Sequence, residues 1–136
     1  MTTVFGKLNL KDQQEIVVLN APQSFEGELA RLPVRAIHRS LSPVREIEFF
    51  LAFVSRKSEV DALAPQIAKR AKGDAVVWFA YPKGTSKTYK CDFNRDNGWG
   101  ALNALGYETV RAVAIDEDWS ALRLRRSQFV KARAKA

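Results

Sequence analysis

The strongest constraint on the fold is a nearly continuous apolar run over residues 47–54, in which Glu48 is the one polar side chain. A strand with one face in solvent alternates apolar and polar residues, whereas a strand covered on both faces does not. This run therefore predicts the centre of a parallel sheet. Similar runs over residues 15–20 and 74–81 predict two more buried strands. The side chains expected in the core are Val17, Leu19, Leu51, Phe53, Val77 and Phe79.

Helical patterns separate these strands. Apolar residues recur at helical spacing over residues 60–71, and Pro65 predicts a kink or a break near Ala64 because it removes a backbone donor. Ser24 is placed to cap a short helix after the first strand. A third helix, weakened by two glycines, is predicted over about residues 95–105.

Three shorter strands complete the pattern. One is predicted at residues 34–38, and two more, over residues 109–115 and 121–129, form a closing hairpin. Strands that alternate with helices favour right-handed crossovers and a Rossmann-like, doubly wound, mostly parallel α/β sheet with an antiparallel C-terminal hairpin. This ending resembles the sheet of S-adenosylmethionine methyltransferases, where an antiparallel last strand is inserted beside its predecessor. The resemblance implies the strand order 2-1-3-4-6-5.

Length and composition limit the kind of protein. With 136 residues, 46% of them hydrophobic, the chain can form one domain without disulfides, here residues 1–130 with a frayed basic tail at 131–136. The lone Cys91 and the lone His38 leave too few ligands for a metal site, so we expect none. No apolar run approaches the ~20 residues that span a bilayer. The first eleven residues lack a secretory signal, and a cytoplasmic location without membrane contact is expected.

The formal net charge of +7 comes mainly from the C-terminal segment. From residue 123 onward the chain has no acidic residue and six basic ones, Arg123, Arg125, Arg126, Lys131, Arg133 and Lys135. Basic residues that alternate with leucines are typical of a protected edge strand. Because this segment contains one aromatic residue, Phe129, we expect no specific nucleic-acid binding.

Three segments carry a second resemblance. They are Val18-Leu-Asn-Ala-Pro22, Val77-Trp-Phe-Ala-Tyr-Pro-Lys83 and Ala114-Ile-Asp-Glu-Asp-Trp-Ser-Ala-Leu-Arg-Leu-Arg125. In this order they resemble a bacterial family of domains of unknown function of about this length. The Asp-Glu-x-Trp-Ser-x-Leu-Arg motif in the last segment is the most specific. The resemblance implies a Rossmann-like fold and supplies no catalytic residues.

The turn after the first strand lacks the usual cofactor motif. Rossmann-like domains place glycines there so that the backbone can approach a cofactor at a helix N-terminus. Here the turn has Ala21 and Pro22, and its one glycine, Gly27, comes late. We therefore expect no cofactor, neither S-adenosylmethionine nor a nicotinamide dinucleotide.

Five residues near the predicted strand ends are candidates for ligand binding. They are Asn20, Lys83, Lys87, Asp116 and Trp119. Ligands of open α/β sheets bind beyond the carboxyl ends of the strands, where the lysines could attract an anion. The alternatives are a solvated lysine loop, acidic residues that stabilise a turn, and a tryptophan that covers the sheet edge.

No catalytic constellation accompanies these residues. The leading hypothesis from the sequence is a non-enzymatic or degenerate domain that binds a small anionic ligand or a protein partner. The alternatives are a small enzyme acting on an anionic substrate, with Asp116 or Asp118 as acid or base, and a weak nucleic-acid binder that uses the basic C-terminus.

Overall fold

The structure is a computed structural model that describes residues 4–41, 44–93 and 97–134, with side chains up to residue 130. The strands in this part of the chain are β1 (Glu15–Leu19), β2 (Ala36–His38), β3 (Ile47–Phe53), β4 (Ala71–Pro82), β5 (Tyr107–Ala114) and β6 (Trp119–Arg126). The α-helices are α1 (Val4–Lys7), α2 (Glu26–Ala30), α3 (Lys57–Arg70), α4 (Gly100–Ala104) and α5 (Ser127–Ala134). A 3-10 turn, Gln23–Phe25, precedes α2.

The strands form one sheet in the order β2-β1-β3-β4-β6-β5. The first four in this order run parallel, and β6 is antiparallel to both β4 and β5. The predicted order and the antiparallel ending are confirmed. A continuous row of paired residues crosses the centre of the sheet through Val17, Phe50, Val77 and Leu124.

The core lies on both faces of the sheet. On one face, here called the α3 face, Phe50 and Phe79 pack with Ile67 of α3. On the other, the α2 face, Phe49 and Trp78 pack with residues of α1 and α2. All six side chains predicted to be in the core are buried. Burial on both faces explains why the strand patterns are continuously apolar rather than alternating.

The helix α3 is continuous through Pro65, where the sequence predicts a kink or a break. Proline removes the hydrogen bond that residue 65 would donate to the carbonyl of Asp61. Val60, Ala64 and Ile67, on both sides of the proline, are buried. Their contacts with the sheet hold both halves of the helix in place and outweigh the loss of one hydrogen bond.

Two C-terminal elements differ from prediction. The strand β6 ends at Arg126, which pairs with Tyr107, the first residue of β5. Since β5 offers no further partner, the chain turns into α5, which reaches Ala134 in the segment predicted as a tail. Residues 135 and 136 lie outside the described part.

The helix predicted over about residues 95–105 is reduced to α4, and residues 94–96 lie outside the described part of the chain. Gly98 has a φ of 94°, which no helical residue adopts. A Cβ at Gly98 would lie 2.7 Å from the Cβ of Phe93, so this position needs glycine on both grounds. None of the helices in the described part is long and apolar enough to cross a membrane.

Replacement of Phe53 by alanine should lower the free energy of unfolding by about 3–5 kcal/mol, because the ring is 2% exposed and its removal leaves a cavity. Urea denaturation measures the effect. Leu105→Ala is the control, since Leu105 is 44% exposed and its truncation should change stability by less than about 0.5 kcal/mol. Equal stability of the two variants would contradict the central position of β3.

Candidate functional site at the carboxyl edge of the sheet

The carboxyl ends of β1 and β3 form the topological switch point of the sheet. After β1 the chain crosses to the α2 face, and after β3 it enters α3 on the opposite face. The two connections diverge from neighbouring strands, and we call the region between them, beyond Leu19 and Phe53, the crevice. Crevices of this kind are the usual ligand sites of open α/β sheets. We call this side of the sheet the carboxyl edge.

Asn20 forms the turn that leaves β1. Its φ of 58° is left-handed, a conformation that glycine adopts freely and that asparagine tolerates better than most other residues. Its side-chain Nδ2 donates a hydrogen bond of 3.4 Å to the carbonyl of Phe53 at the end of β3. Asn20 therefore has a left-handed conformation at the end of β1, where cofactor-binding folds place glycine.

Outside this turn, an ion pair joins α2 to the end of β2. Arg39 donates two hydrogen bonds of 2.9 Å to the carboxylate of Glu26. The guanidinium of Arg39 holds the pKa of Glu26 below its usual value. Since Arg39 directly follows β2, the pair fixes the distance between the first helical turn after β1 and the neighbouring strand.

The loop that leaves β4 is fastened to the β5–β6 turn. The backbone N–H of Lys83 donates to the carbonyl of Asp118 at 2.8 Å. The hydroxyl of Ser86 donates to Asp118 Oδ1 at 2.8 Å and accepts a hydrogen bond from the N–H of Tyr89 at 3.1 Å. Ser86 thus organises its own loop and attaches that loop to the hairpin.

Asp116 stabilises the β5–β6 turn. Its Oδ1 accepts hydrogen bonds from the backbone N–H groups of Asp118, at 2.8 Å, and Trp119, at 2.9 Å. A carboxylate at a turn commonly binds the amides that follow it. The contacts of Asp116 therefore correspond to the turn-stabilising alternative for this residue.

Trp119 lies between the crevice and the loop after β4. Its ring packs at 5.1 Å from that of Phe53 and at 4.9 Å from that of Tyr89, measured between centroids. The side chain is 5% exposed, and its Nε1 has no hydrogen-bond partner among the described residues. A buried donor without an acceptor is costly, so an acceptor on a ligand or a water would stabilise this site.

A cavity of about 290 Å³ lies beyond the end of β4. Its aromatic lining comes from Tyr81, Tyr89 and Phe93, and its charged lining comes from Lys83 and Lys90. An adjoining cavity of about 350 Å³ shares Lys90 and extends to residues 55 and 56, just after β3. Together the two cavities follow the carboxyl edge from β4 to β3.

The structure brings three of the predicted site residues together. Lys83, Asp116 and Trp119 meet where the loop after β4 contacts the β5–β6 turn. Asn20 lies on the other side of Phe53, whose carbonyl it contacts while the Phe53 ring contacts Trp119. Lys87 is exposed and lines neither cavity.

Sequence reasoning considered Ser86, Tyr89 and Lys90 as part of a possible anion-binding loop but did not single them out as site residues. They belong to the polar segment that carries Lys83 and Lys87, so that segment was the available signal. Which of its side chains face the cavity depends on the Ser86–Asp118 contact, across 32 residues. No local pattern encodes that contact.

The two residues with the most reactive side chains do not form a catalytic pair. Burial raises the pKa of the Cys91 thiol, which disfavours the nucleophilic thiolate. His38 lies 3.1 Å from Glu15 and lines a separate cavity of about 450 Å³. Hydrogen bonds from His38 and Arg35 lower the pKa of Glu15. Among the described residues, no three His, Cys, Asp or Glu side chains converge as a metal site would require.

Comparison with known proteins identifies the fold. No family model matches the sequence, and no curated protein matches it. Among solved structures, the chain is similar to an S-adenosylmethionine-dependent methyltransferase from Aquifex aeolicus, with a TM-score of 0.68 and 10% identity over 90% of this chain and 87% of that one.

Two further structures show the same likeness. Fibrillarin from Aeropyrum pernix, in complex with natively bound S-adenosylmethionine, has a TM-score of 0.56 and 10% identity over 82% of this chain and 66% of that one. The ribosomal protein L11 methylase from Lactobacillus delbrueckii subsp. bulgaricus has a TM-score of 0.53 and 13% identity over 91% and 63%.

These matches correct the function hypothesis drawn from the sequence. They contradict the expectation of a non-enzymatic or degenerate domain, because the structures that share this sheet are methyltransferases or hold S-adenosylmethionine. At this level of identity the likeness establishes the fold. That hypothesis was drawn mainly from the absence of glycines in the first turn and of a catalytic constellation.

Asp116→Ala should lower the free energy of unfolding by about 1 kcal/mol, because two backbone amides lose their acceptor. Asp116→Asn keeps an acceptor oxygen and should recover most of the loss. Glu117→Ala is the matched control, one residue further along the same turn and also exposed, and should be near neutral. Thermal and urea unfolding measure all three. A variant Asp116→Ala as stable as the parent protein would contradict this turn-stabilising role.

Proposed function

We propose that this chain is a methyltransferase-like protein that binds S-adenosylmethionine at the crevice between β1 and β3. The observation that carries the proposal is the sheet itself. Its order, with an antiparallel strand inserted beside β4, matches that of an S-adenosylmethionine-dependent methyltransferase over 90% of the chain. Because the crevice lies at the switch point of this sheet, it is the favoured place for the ligand.

Two features of the crevice fit such a ligand. The left-handed turn at Asn20 directs the chain sharply away from β1, as the glycine turn of cofactor-binding folds does. Trp119 Nε1, for which the described part of the chain supplies no acceptor, is a buried donor next to the crevice. Pro22 provides no N–H, so this turn has one backbone donor fewer than a turn without proline. This proposal replaces the expectation of no cofactor, which depended on residue types alone.

Each part of the edge has a separate task in this proposal. S-adenosylmethionine supplies a methyl group on a positively charged sulfur. Asn20 and Ala21 shape the turn on which the ligand lies. The rings of Phe53, Tyr89 and Trp119 provide an apolar wall that keeps water from the reacting centre.

The parent protein should bind S-adenosylmethionine saturably, and the turn at Asn20 should determine the affinity. Asn20→Gly keeps the left-handed conformation and should bind like the parent. Asn20→Val should bind at least ~10-fold more weakly, because a β-branched residue at this φ shifts the turn. Isothermal titration calorimetry measures the three dissociation constants.

Asn9→Val is the matched control. Asn9 also has a positive φ, 66°, but it lies in the segment that leads to the amino end of β1. Asn9→Val should lower the free energy of unfolding about as much as Asn20→Val does, without weakening the binding of S-adenosylmethionine. Absence of binding to the folded parent protein at about 1 mM ligand would refute the proposal. Equal weakening by the Asn9 and Asn20 valine variants would refute the role of the turn.

A further inference from the structure

We propose that the chain has a second ligand site, a cavity of about 450 Å³ on the α3 face of β1 and β2, and that this site binds a small amino-acid zwitterion with an apolar side chain. The cavity lies at the opposite end of β1 from the crevice, because it is lined by Glu15, the first residue of β1, whereas the crevice lies beyond Leu19, the last. The proposal is independent of the function proposed for the crevice.

The cavity follows from the way the chain connects β2 to β3. These parallel strands lie on either side of β1, so the connection has to cross a face of the sheet. Such crossovers usually contain a helix and take a dozen residues or more. Here the connection is residues 39–46, and none of its described residues is helical. An irregular segment covers less of the sheet than a helix with a diameter of about 10 Å, so space remains beneath it.

The second half of this connection is fixed on the α3 face. Val44 is buried in the same apolar cluster as Val17 of β1. The carbonyl of Val44 accepts a hydrogen bond of 2.9 Å from Nε of Arg70, at the end of α3. Glu46 forms an ion pair of 3.4 Å with Lys72. The cavity therefore has fixed walls, in which Val17 and Val44 provide the apolar part of the lining.

One cation and one anion in the lining have no partner. Both carboxylate oxygens of Glu15 are occupied, since Oε2 accepts from Arg35 and Oε1 lies 3.1 Å from Nε2 of His38. By contrast, the side chains of Arg45 and Glu48 make no hydrogen bond or ion pair with the described residues. Both line the cavity, so one small molecule can contact both.

This arrangement favours a ligand that carries both charges. The three carboxylates of the lining are balanced by three cations in or beside the cavity, Arg35, Arg45 and Lys72, so net charge attracts neither a simple anion nor a simple cation. A zwitterion provides a partner for each free group, its carboxylate for Arg45 and its ammonium for Glu48. A cavity of about 150 Å³ holds benzene, so this larger one has room for an amino acid.

Titration of the isotope-labelled parent protein with L-leucine, followed by two-dimensional NMR spectra of the backbone amides, tests the proposal. The signals of Val17, Arg45 and Glu48 should shift saturably, with a dissociation constant in the millimolar range or below. The signals of Asn20 and Phe53, at the crevice, should stay in place.

Two analogues of leucine separate the charges: 4-methylpentanoate lacks the ammonium group, and 3-methylbutylamine lacks the carboxylate. Arg45→Met should weaken the binding of leucine by about threefold or more without weakening that of the amine. Glu48→Gln should weaken leucine similarly without weakening 4-methylpentanoate. The matched controls Arg111→Met and Glu117→Gln replace exposed residues near the opposite edge of the sheet and should bind leucine like the parent.

Saturable shifts at the cavity that depend on both side chains support the proposal. It is overturned by the absence of saturable shifts up to about 20 mM leucine, by shifts confined to the crevice, by equal binding of leucine and either analogue, or by unchanged leucine binding in either variant. Because Arg45 and Glu48 are exposed, both variants keep the core intact, and the same spectra report their fold. No arm uses S-adenosylmethionine, so this proposal and the proposed function fail separately.

Discussion

The burial of β3 on both faces is the constraint on which the rest of the structure depends. Six of its seven side chains are buried, and Glu48 is the exception. A strand of this kind needs a paired strand on each side and helices on each face, which β1, β4, α2 and α3 provide. It also requires that the connections after β1 and β3 diverge. The switch point between β1 and β3 therefore follows from the same arrangement of helices on both faces that buries the core.

Phe53 links this core to the candidate site. Its ring packs between those of Phe25, at 4.9 Å, and Trp119, at 5.1 Å, and its carbonyl accepts the hydrogen bond of Asn20. The floor of the site is thus built from the last residue of the most buried strand. Such a floor is rigid, whereas the lysine-bearing loop above it is held by a few contacts.

The fold was largely predictable from the sequence, and the site only in part. The apolar runs identified the buried strands, because a strand covered on both faces does not alternate apolar and polar residues. The resemblance of the C-terminal hairpin to methyltransferase sheets then led to the correct strand order. The left-handed turn at Asn20 was not predictable, since asparagine occurs in many turn types. The sequence could not predict that Lys90 lines the cavity and Lys87 does not, because the conformation of their loop depends on the distant contact between Ser86 and Asp118. The start of α5 depends on the length of β5, because Arg126, the last residue of β6, pairs with Tyr107, the first residue of β5.

The attachment of the loop after β4 has a consequence for how molecules reach the site. Its main fastenings are the hydrogen bonds of Asp118 with Lys83 and Ser86 and the contact of Tyr89 with Trp119. The two hydrogen bonds contribute about 1 kcal/mol each and the ring contact about 1 kcal/mol, and the packing of Tyr89 against the α2 face adds to them. Global unfolding typically requires 5–15 kcal/mol. These few contacts hold the loop less firmly than the paired strands are held, so we expect its amides to exchange with solvent faster than those of β3 and β4. Opening of the loop would widen the entrance to the cavity beyond β4 without unpairing the sheet.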